Sequence, residues 1–477
     1  MKYFFPLFLL IAFSGSITSQ NTYNSNCYTI IVGKNASIDG SVMVGHNEDD
    51  RGELTVNWFK VPFLNHKSND SITLLSGKKY TQIKKTASYI RLQVMGQKFG
   101  DAYLNEHSVV ICSNACASKE DTAIGFIGFD FRRILAEQAE SSREAVILGG
   151  KLIETFGYES SGRTYTIADK NEAWMLSVVK GKRWVAQRIP DSCVAIIPNY
   201  YTIQEINLSD SSNFMASPDL LDYAIKRGWY LPSQMFNFRN VYGDSATNCA
   251  DYNVPRHLTG INALSNKKYN PHDIFPFSFI PKKKVEVSDL NHILSSHYEN
   301  DPEFDCSKDF PHECATLPVC RTITQFSFVA QLRSDLPDMI GALLWINPLN
   351  PCIFPSVPLY SGIFKTPENL GQNNWFRADS VHFDKQESDL KSHTDHAYML
   401  FQNYKRFIES NYTENMKENQ IFKNKIENEL KQNQIKFEKS VKQVYDSYPD
   451  DARKLLTHYC TGYFQTITDY YKSRIKQ

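Results

Sequence analysis

The sequence predicts an α+β protein, and three observations carry that reading. A β-branched and aromatic run from Tyr28 to Val32 is followed, across the turn chemistry of Asp39-Gly40, by a second apolar run from Val42 to Val44, as in a hairpin. Residues 164–197 alternate strand-like runs with turns at Asp169-Lys170-Asn171 and Lys180-Gly181-Lys182, as in an antiparallel meander. Over 413–446 the apolar residues Phe422, Ile426, Leu430, Phe437, Val441 and Tyr445 recur at spacings of four or seven, as on an amphipathic helix.

Taken in order, the hairpin strands span 28–33 and 42–47, a register in which Tyr28 faces Asn47 and Cys27 lies beside Asn47 to Asp49. Segments 89–95 and 109–112 read as further strands. Ser141 and Glu144 have capping-box spacing, and the helix they open runs until Gly157 stops it. The meander strands are 164–168, 173–179, 184–189 and 193–197, and two later strands, 324–333 and 340–346, flank Leu336-Pro337-Asp338. A last helix begins after Pro449, with Asp450 and Asp451 in its first turn and Leu455, Leu456, Tyr459, Phe464 and Ile467 along it. Packing of these terminal helices on the rest of the chain is the simplest use of their apolar faces.

Composition narrows the function classes. The chain has 477 residues, 42% of them hydrophobic, which is ample for a large core. Lys plus Arg and Asp plus Glu both number 52, so no cationic excess exists to neutralise a phosphate backbone, and nucleic acid is not an expected partner. Lys2, an apolar run from Phe4 to Phe13 and the small residues Ser14, Gly15 and Ser16 have the order of a secretory signal. That run is shorter than the ~20 residues a bilayer crossing needs, and no later stretch approaches it, so stable membrane insertion is not expected. A secreted or lumenal location follows, or a periplasmic one in a bacterium. Asn35, Asn69, Asn207 and Asn411 open glycosylation triplets that suit such a compartment.

The chain contains ten cysteines, and the cluster Cys306, Cys314, Cys320 suggests a locally stapled loop. Zinc is the alternative for such a cluster. However, no Cys-x-x-Cys pair, no His-Glu-x-x-His and no histidine at finger spacing accompanies it, so neither a metal nor a cofactor is expected.

The chemistry-bearing segment is Asn26-Cys27, followed by Thr29-Ile30-Ile31-Val32-Gly33, Ser37 to Ser41 and Gly45-His46-Asn47-Glu48-Asp49. Were the chain cut between Asn26 and Cys27, one residue would own both a thiol and an α-amine titrating near 8, able to take the thiol's proton. Asp49 would then hold and orient the ammonium, and His46 and Asn47 stand near enough to be candidates for contacting substrate. From spacing alone a disulfide at Cys27 remains an equal reading.

The stretch Cys27 to Asp49 resembles the mature start of the cysteine dipeptidases among the N-terminal-nucleophile hydrolases, the family of bacterial dipeptidase A and the secernins. The likeness continues through Leu104-Asn105-Glu106-His107, Ser113-Asn114-Ala115, Ser142-Arg143-Glu144-Ala145, Ile167-Ala168-Asp169, Pro198-Asn199, Tyr252-Asn253-Val254-Pro255-Arg256 and Ser327 to Arg333, covering about residues 27 to 363. The resemblance implies an αββα sandwich of two antiparallel sheets between helical layers, and hydrolysis of dipeptides through a thioester. Cys27 would be the nucleophile and its amine the base, with Asp49 holding the amine. Asn114 and Asn199 would donate to the oxyanion, and Arg256 would place positive charge near the thiolate. In the acylase and bile-salt branch of this group the residue before the Asn of Asn-x-Asp is usually Arg, whereas here it is His46. An acylase of the same fold, acting on N-acyl amides, and a catalytically silent secreted protein are the alternatives.

The implied organisation is a signal peptide over 1–16, a short leader over 17–26, a catalytic domain over 27–375 and a helical extension over 376–477. The catalytic reading requires a Cys27 sulfur that is exposed, and unbridged, once the leader is gone.

Overall fold

The opening hairpin forms in the expected register. Strands β1 (Tyr28–Val32) and β2 (Val42–Asp49) pair antiparallel, with Tyr28 opposite Asn47 and Val32 opposite Met43, which sets Cys27 across from Glu48. This computed structural model describes residues 27–50, 56–94, 99–248, 250, 252–307, 311–314, 317–371 and 396–475. The signal and leader readings, Cys249 and the junction near residue 375 lie outside those residues.

Twelve further strands and the hairpin make two antiparallel sheets. They are β3 (Val56–Val61), β4 (Tyr89–Val94), β5 (Ala102–Asn105), β6 (Val110–Ala115), β7 (Tyr158–Ala168), β8 (Ala173–Gly181), β9 (Trp184–Ile189), β10 (Val194–Ile197), β11 (Phe214–Ala216), β12 (Thr324–Leu332), β13 (Ala342–Pro348) and β14 (Val357–Tyr360). The six-stranded sheet runs β10-β1-β2-β12-β13-β14, and the eight-stranded sheet runs β11-β9-β8-β7-β6-β5-β4-β3.

The meander therefore stops one strand earlier than the sequence suggests. β7, β8 and β9 pair in succession, but β10 leaves for the other sheet and pairs with β1, Val194 opposite Val32. Pro190, directly after β9, has no N–H to continue a ladder, and β11 occupies the edge beside β9 instead. The crossing chain passes over the end of β1, where a Cβ on Gly33 would lie 2.5 Å from the Asp191 carbonyl oxygen. Glycine is required there by the close approach.

Period-two alternation divides the eight-stranded sheet between two cores. Val110, Cys112, Ala168, Met175 and Val179 face the other sheet, whereas Ile111, Ile167, Trp174, Leu176 and Val178 face helices α1 (Asp130–Gln138) and α2 (Ser142–Phe156). Ser141 caps α2 by accepting from the Glu144 N–H, but the Glu144 carboxylate turns to the Glu140 N–H, so half of the predicted capping box forms. On the other side, α3 (Val254–Leu264) and α4 (Val287–Leu294) cover the six-stranded sheet. The layers are thus αββα. α3 sits close enough on β1 that a Cβ at Gly260 would lie 2.2 Å from the Tyr28 hydroxyl.

Three helices follow: α5 (Ala397–Ser410), which the sequence reading did not foresee, α6 (Tyr412–Tyr445) and α7 (Pro449–Ile475). Aromatic rings join them, with Tyr404 on Tyr471 at 4.2 Å and Phe422 on Tyr470 at 3.6 Å. α7 packs on β14, and Phe464 meets Trp58 of β3 edge-on at 5.8 Å. α6 is further fixed by a buried ion pair in which Arg333 donates to both Glu438 oxygens at 2.6 and 2.7 Å and Tyr360 donates at 2.7 Å. Among the described residues no helix is long and apolar enough to cross a membrane.

Removing one partner of such a pair leaves a buried charge uncompensated. Glu438→Ala is expected to lower unfolding stability by about 3–5 kcal/mol in chemical denaturation, and the Arg333→Met, Glu438→Leu double variant by much less. Equal losses in both would contradict the assignment.

Candidate active site

The sequence brings four polar side chains together by register alone. Facing residues of an antiparallel pair share a face, so Cys27 meets Glu48 and Thr29 meets His46. The Cys27 thiol donates to Glu48 Oε1 at 3.1 Å, and Glu48 Oε2 lies 3.1 Å from His46 Nε2. Thr29 Oγ1 is 2.8 Å from His46 Nδ1 and donates to Asn114 Oδ1 at 2.6 Å. A hydroxyl has one proton, and here it goes to Asn114, so the proton between Thr29 and His46 comes from Nδ1. The remaining proton of the His46–Glu48 contact lies between Nε2 and Oε2. His46 thus shares a proton with a carboxylate, where an arginine would have contributed a fixed charge.

The other face of β2 carries Asn47 and Asp49. Asn47 donates to the Leu294 and Val319 carbonyls at 2.9 Å each, so it braces β2 against the end of α4 and the chain before β12 and does not face the thiol. Asp49 is fully buried; its Oδ1 accepts from Thr324 at 2.7 Å, while Oδ2 has no hydrogen-bond partner and lies 3.9 Å from Arg321 Nε. Burial lifts the Asp49 carboxyl from 3.8 to about 7, against the pull of Arg321 and Thr324. Burial likewise lifts Glu48 to about 7, opposed by Arg132 and by its hydrogen bond from Cys27. An acceptor oxygen with no donor, one residue along the strand from the thiol's partner, is the feature that stands out.

Asn114, Asn199 and Arg256 also converge on this strand end. Asn114 Nδ2 donates to the Ile197 carbonyl at 3.2 Å, and Asn199 Nδ2 donates to the Ala115 carbonyl at 3.0 Å. An amide nitrogen carries two protons, so each retains a second N–H. Arg256, on α3 and fully buried, donates to Asn199 Oδ1 at 2.9 Å, Asn253 Oδ1 at 2.8 Å and the Cys27 carbonyl at 3.4 Å. It therefore orients Asn199 and the Cys27 backbone, and among the described residues its hydrogen bonds go to oxygens and not to the sulfur. Arg163 is a guanidinium coupled to the thiol: burial opposes its charge, while Tyr158, Tyr165 and Cys27 raise its pKa. Arg163 and Arg132 both donate to Ser113 Oγ, at 3.0 and 2.8 Å.

Two expectations for Cys27 meet different outcomes. It is unbridged, one of the free cysteines, whereas Cys306 pairs with Cys314 and leaves Cys320 out of that staple. It is not exposed: in the uncut chain the residue is 3% accessible. Burial, then Glu48 and Asp49, push its thiol well above the ordinary value, so it rests protonated.

Residues 26–425 match the family model for peptidase family C69. The chain belongs to that family. A probable dipeptidase of Latilactobacillus sakei is 28% identical over 364 residues, which is 72% of this chain and 76% of that protein. Dipeptidase A of Lactobacillus helveticus is 28% identical over 368 residues, 72% of this chain and 77% of that protein. Among solved structures, penicillin V acylase of Agrobacterium tumefaciens covers 73% of this chain and 89% of its own at 12% identity, with a TM-score of 0.37.

This family C69 chain holds Glu48, Thr29, Arg132, Arg163 and Arg321 around its cysteine beyond the residues the sequence reading singled out. Glu48 and Thr29 were legible, because the register that placed Tyr28 opposite Asn47 also pairs 27 with 48 and 29 with 46. The three arginines come from distant segments and had no local signal.

A carboxyl whose pKa is higher folded than unfolded binds a proton in the folded state that the unfolded state has already lost, so it reduces stability as pH rises between the two values. For Asp49 that window runs from 3.8 to about 7. In the uncut Cys27→Ala chain, Asp49→Asn is expected to raise stability at pH 8 relative to its effect at pH 4, by up to a few kcal/mol, as read by denaturation at both. A change of the same size at both pH values would contradict it.

Proposed function

We propose that this family C69 peptidase is a cysteine dipeptidase of the N-terminal-nucleophile class. The observation that carries it is the Asp49 Oδ2 with no hydrogen-bond donor, on the strand paired with β1, together with an unbridged thiol on the residue directly before β1. Cleavage between Asn26 and Cys27 would exchange an amide for an ammonium, a charged donor for the Asp49 oxygen that has none. Cleavage is also the change to which we assign access of substrate to the thiol. The 28% identity with proteins named as dipeptidases supports the substrate class.

The deprotonated amine takes the thiol proton, and the sulfur adds to the peptide carbonyl carbon. The resulting oxyanion accepts from the second N–H of Asn199 and of Asn114. The C–N bond then breaks, the amine gives its proton to the departing nitrogen, and an acyl thioester stays on Cys27. Water, losing a proton to the same amine, cleaves the thioester, and the thiol is restored. Asp49 holds the ammonium in both halves. Arg256 fixes Asn199 and the Cys27 carbonyl, so it acts as a positioning residue. In the uncut chain Glu48 is the group placed to receive the thiol's proton, which suits a self-catalysed cut.

A secreted or lumenal location belongs to the same reading. Its supports are the signal-like order from Lys2 to Ser16, the Cys306–Cys314 disulfide and the exposure of Asn35, Asn69, Asn207 and Asn411.

Mass spectrometry of the mature protein is expected to give Cys27 as the first residue, and Cys27→Ala to keep the residues before it and lose turnover on a dipeptide panel. Undiminished turnover in that variant would end the proposal, and turnover confined to N-acyl amino acids would replace the dipeptidase by an acylase. Asn199→Ala is expected to lower kcat by about 100–1000-fold, about 2.7–4 kcal/mol in barrier, with KM nearly unchanged. A change confined to KM would remove Asn199 from the oxyanion role.

A further inference from the structure

Away from Cys27, four side chains from separate segments converge on one buried point. His297 follows α4, His312 lies in a 3-10 turn over Pro311–Glu313, Cys320 precedes β12, and Cys352 lies in the turn after β13. One ligand atom from each lies within 4.8 Å of the other three, and all four residues are buried. His312 Nε2 is 3.1 Å from Cys352 Sγ and 3.7 Å from Cys320 Sγ, and the two sulfurs are 3.4 Å apart. A tetrahedron built on Zn–S bonds of about 2.3 Å and Zn–N bonds of about 2.05 Å has edges of about 3.8 Å between sulfurs and about 3.5 Å between sulfur and nitrogen. The edges found are within about half an ångström of those.

The outer shell supports the same occupant. His312 Nδ1 is 2.8 Å from Glu409 Oε1 on α5, and His297 Nδ1 is 3.1 Å from Glu299 Oε1. A carboxylate on Nδ1 fixes the tautomer that turns Nε2, with its lone pair, toward a metal. His297 Nε2 is buried with no hydrogen-bond partner, its side chain only 4% exposed. The Asn350 amide donates to Cys320 Sγ at 3.4 Å. A disulfide between Cys320 and Cys352 would leave both Nε2 atoms facing a poor acceptor, so it accounts for the sulfurs and not for the histidines.

We propose that His297, His312, Cys320 and Cys352 form a structural zinc site. Two thiolates and two neutral imidazoles balance the divalent charge, and four protein ligands close the coordination sphere against substrate. Binding releases the two thiol protons to solvent. The site ties α5 and the turn after β13 to the segment 295–323, whose Val319 carbonyl accepts from Asn47 and whose Arg321 faces Asp49. Zinc therefore stiffens the support of the catalytic strand without entering the reaction.

The test is elemental analysis of the full chain purified without chelator, then equilibrated with Zn²⁺ and desalted. About one zinc per chain is expected, falling at least tenfold in Cys320→Ser and in Cys352→Ser and unchanged in Cys27→Ala. The last arm separates this cluster from Cys27, His46 and Glu48, which also lie within 4.8 Å of one another. Should the serine variants not fold, Co²⁺ replacing zinc in the unaltered chain gives the readout: intense tetrahedral bands with sulfur-to-cobalt charge transfer are expected. No bound zinc, zinc that follows Cys27, weak octahedral cobalt bands, or peptide mapping that finds Cys320 bonded to Cys352 would each overturn the site.

Discussion

The structure depends on the pairing register of the first hairpin. Because Tyr28 faces Asn47, the residue before the strand is placed against Glu48, Thr29 is placed against His46, and Asp49 is driven into the protein on the opposite face. A slip of one residue would exchange the two faces of β2 and separate the thiol from its carboxylate. The rest of the sandwich reinforces that register: β12 pairs with the other edge of β2, Ser327 opposite Asn47, and Asn47 is held by the carbonyls of Leu294, at the end of α4, and of Val319.

That arrangement places two carboxyls in a region where burial opposes their charge. Fixed guanidinium groups, Arg132 and Arg163 toward Glu48 and Arg321 toward Asp49, offset part of the penalty. Oδ2 of Asp49 still lacks a donor. On the mechanism proposed above, an acceptor oxygen left without a donor is a form of pre-organisation: an ammonium at Cys27 would supply that donor. The same reasoning explains why the uncut thiol rests protonated. Its neighbours are acidic, and in the proposed mechanism it would become a nucleophile only when a base is supplied beside it.

Much of this was legible in the sequence where the signal is local. The hairpin register, the helix opened by Ser141 and closed at Gly157, and the two long terminal helices follow from turn chemistry, capping and periodicity. The departure of β10 to the other sheet was not legible, because its residues are strand-like in either sheet and the choice lies in Pro190 and the free edge of β1. Asn199 and Asn114 sit at the strand end as the family resemblance implies, but Arg256 reaches the Cys27 carbonyl and Asn199, a distinction that only packing of α3 reveals. The His297, His312, Cys320 and Cys352 cluster escaped notice for a related reason. Its ligands lie 15, 8 and 32 residues apart in the chain, spacings set by tertiary folding and not by a turn or a helix.

The central claim is that the working base is the α-nitrogen of Cys27, held by Asp49. Selective ¹⁵N labelling of cysteine, with the Cys27 nitrogen followed by NMR across pH in protein that is turning over peptide, tests it most directly. The account predicts an amine resonance that titrates, with a pKa that falls when Asp49 is replaced by Asn. A Cys27 nitrogen that remains an amide in active protein would contradict it.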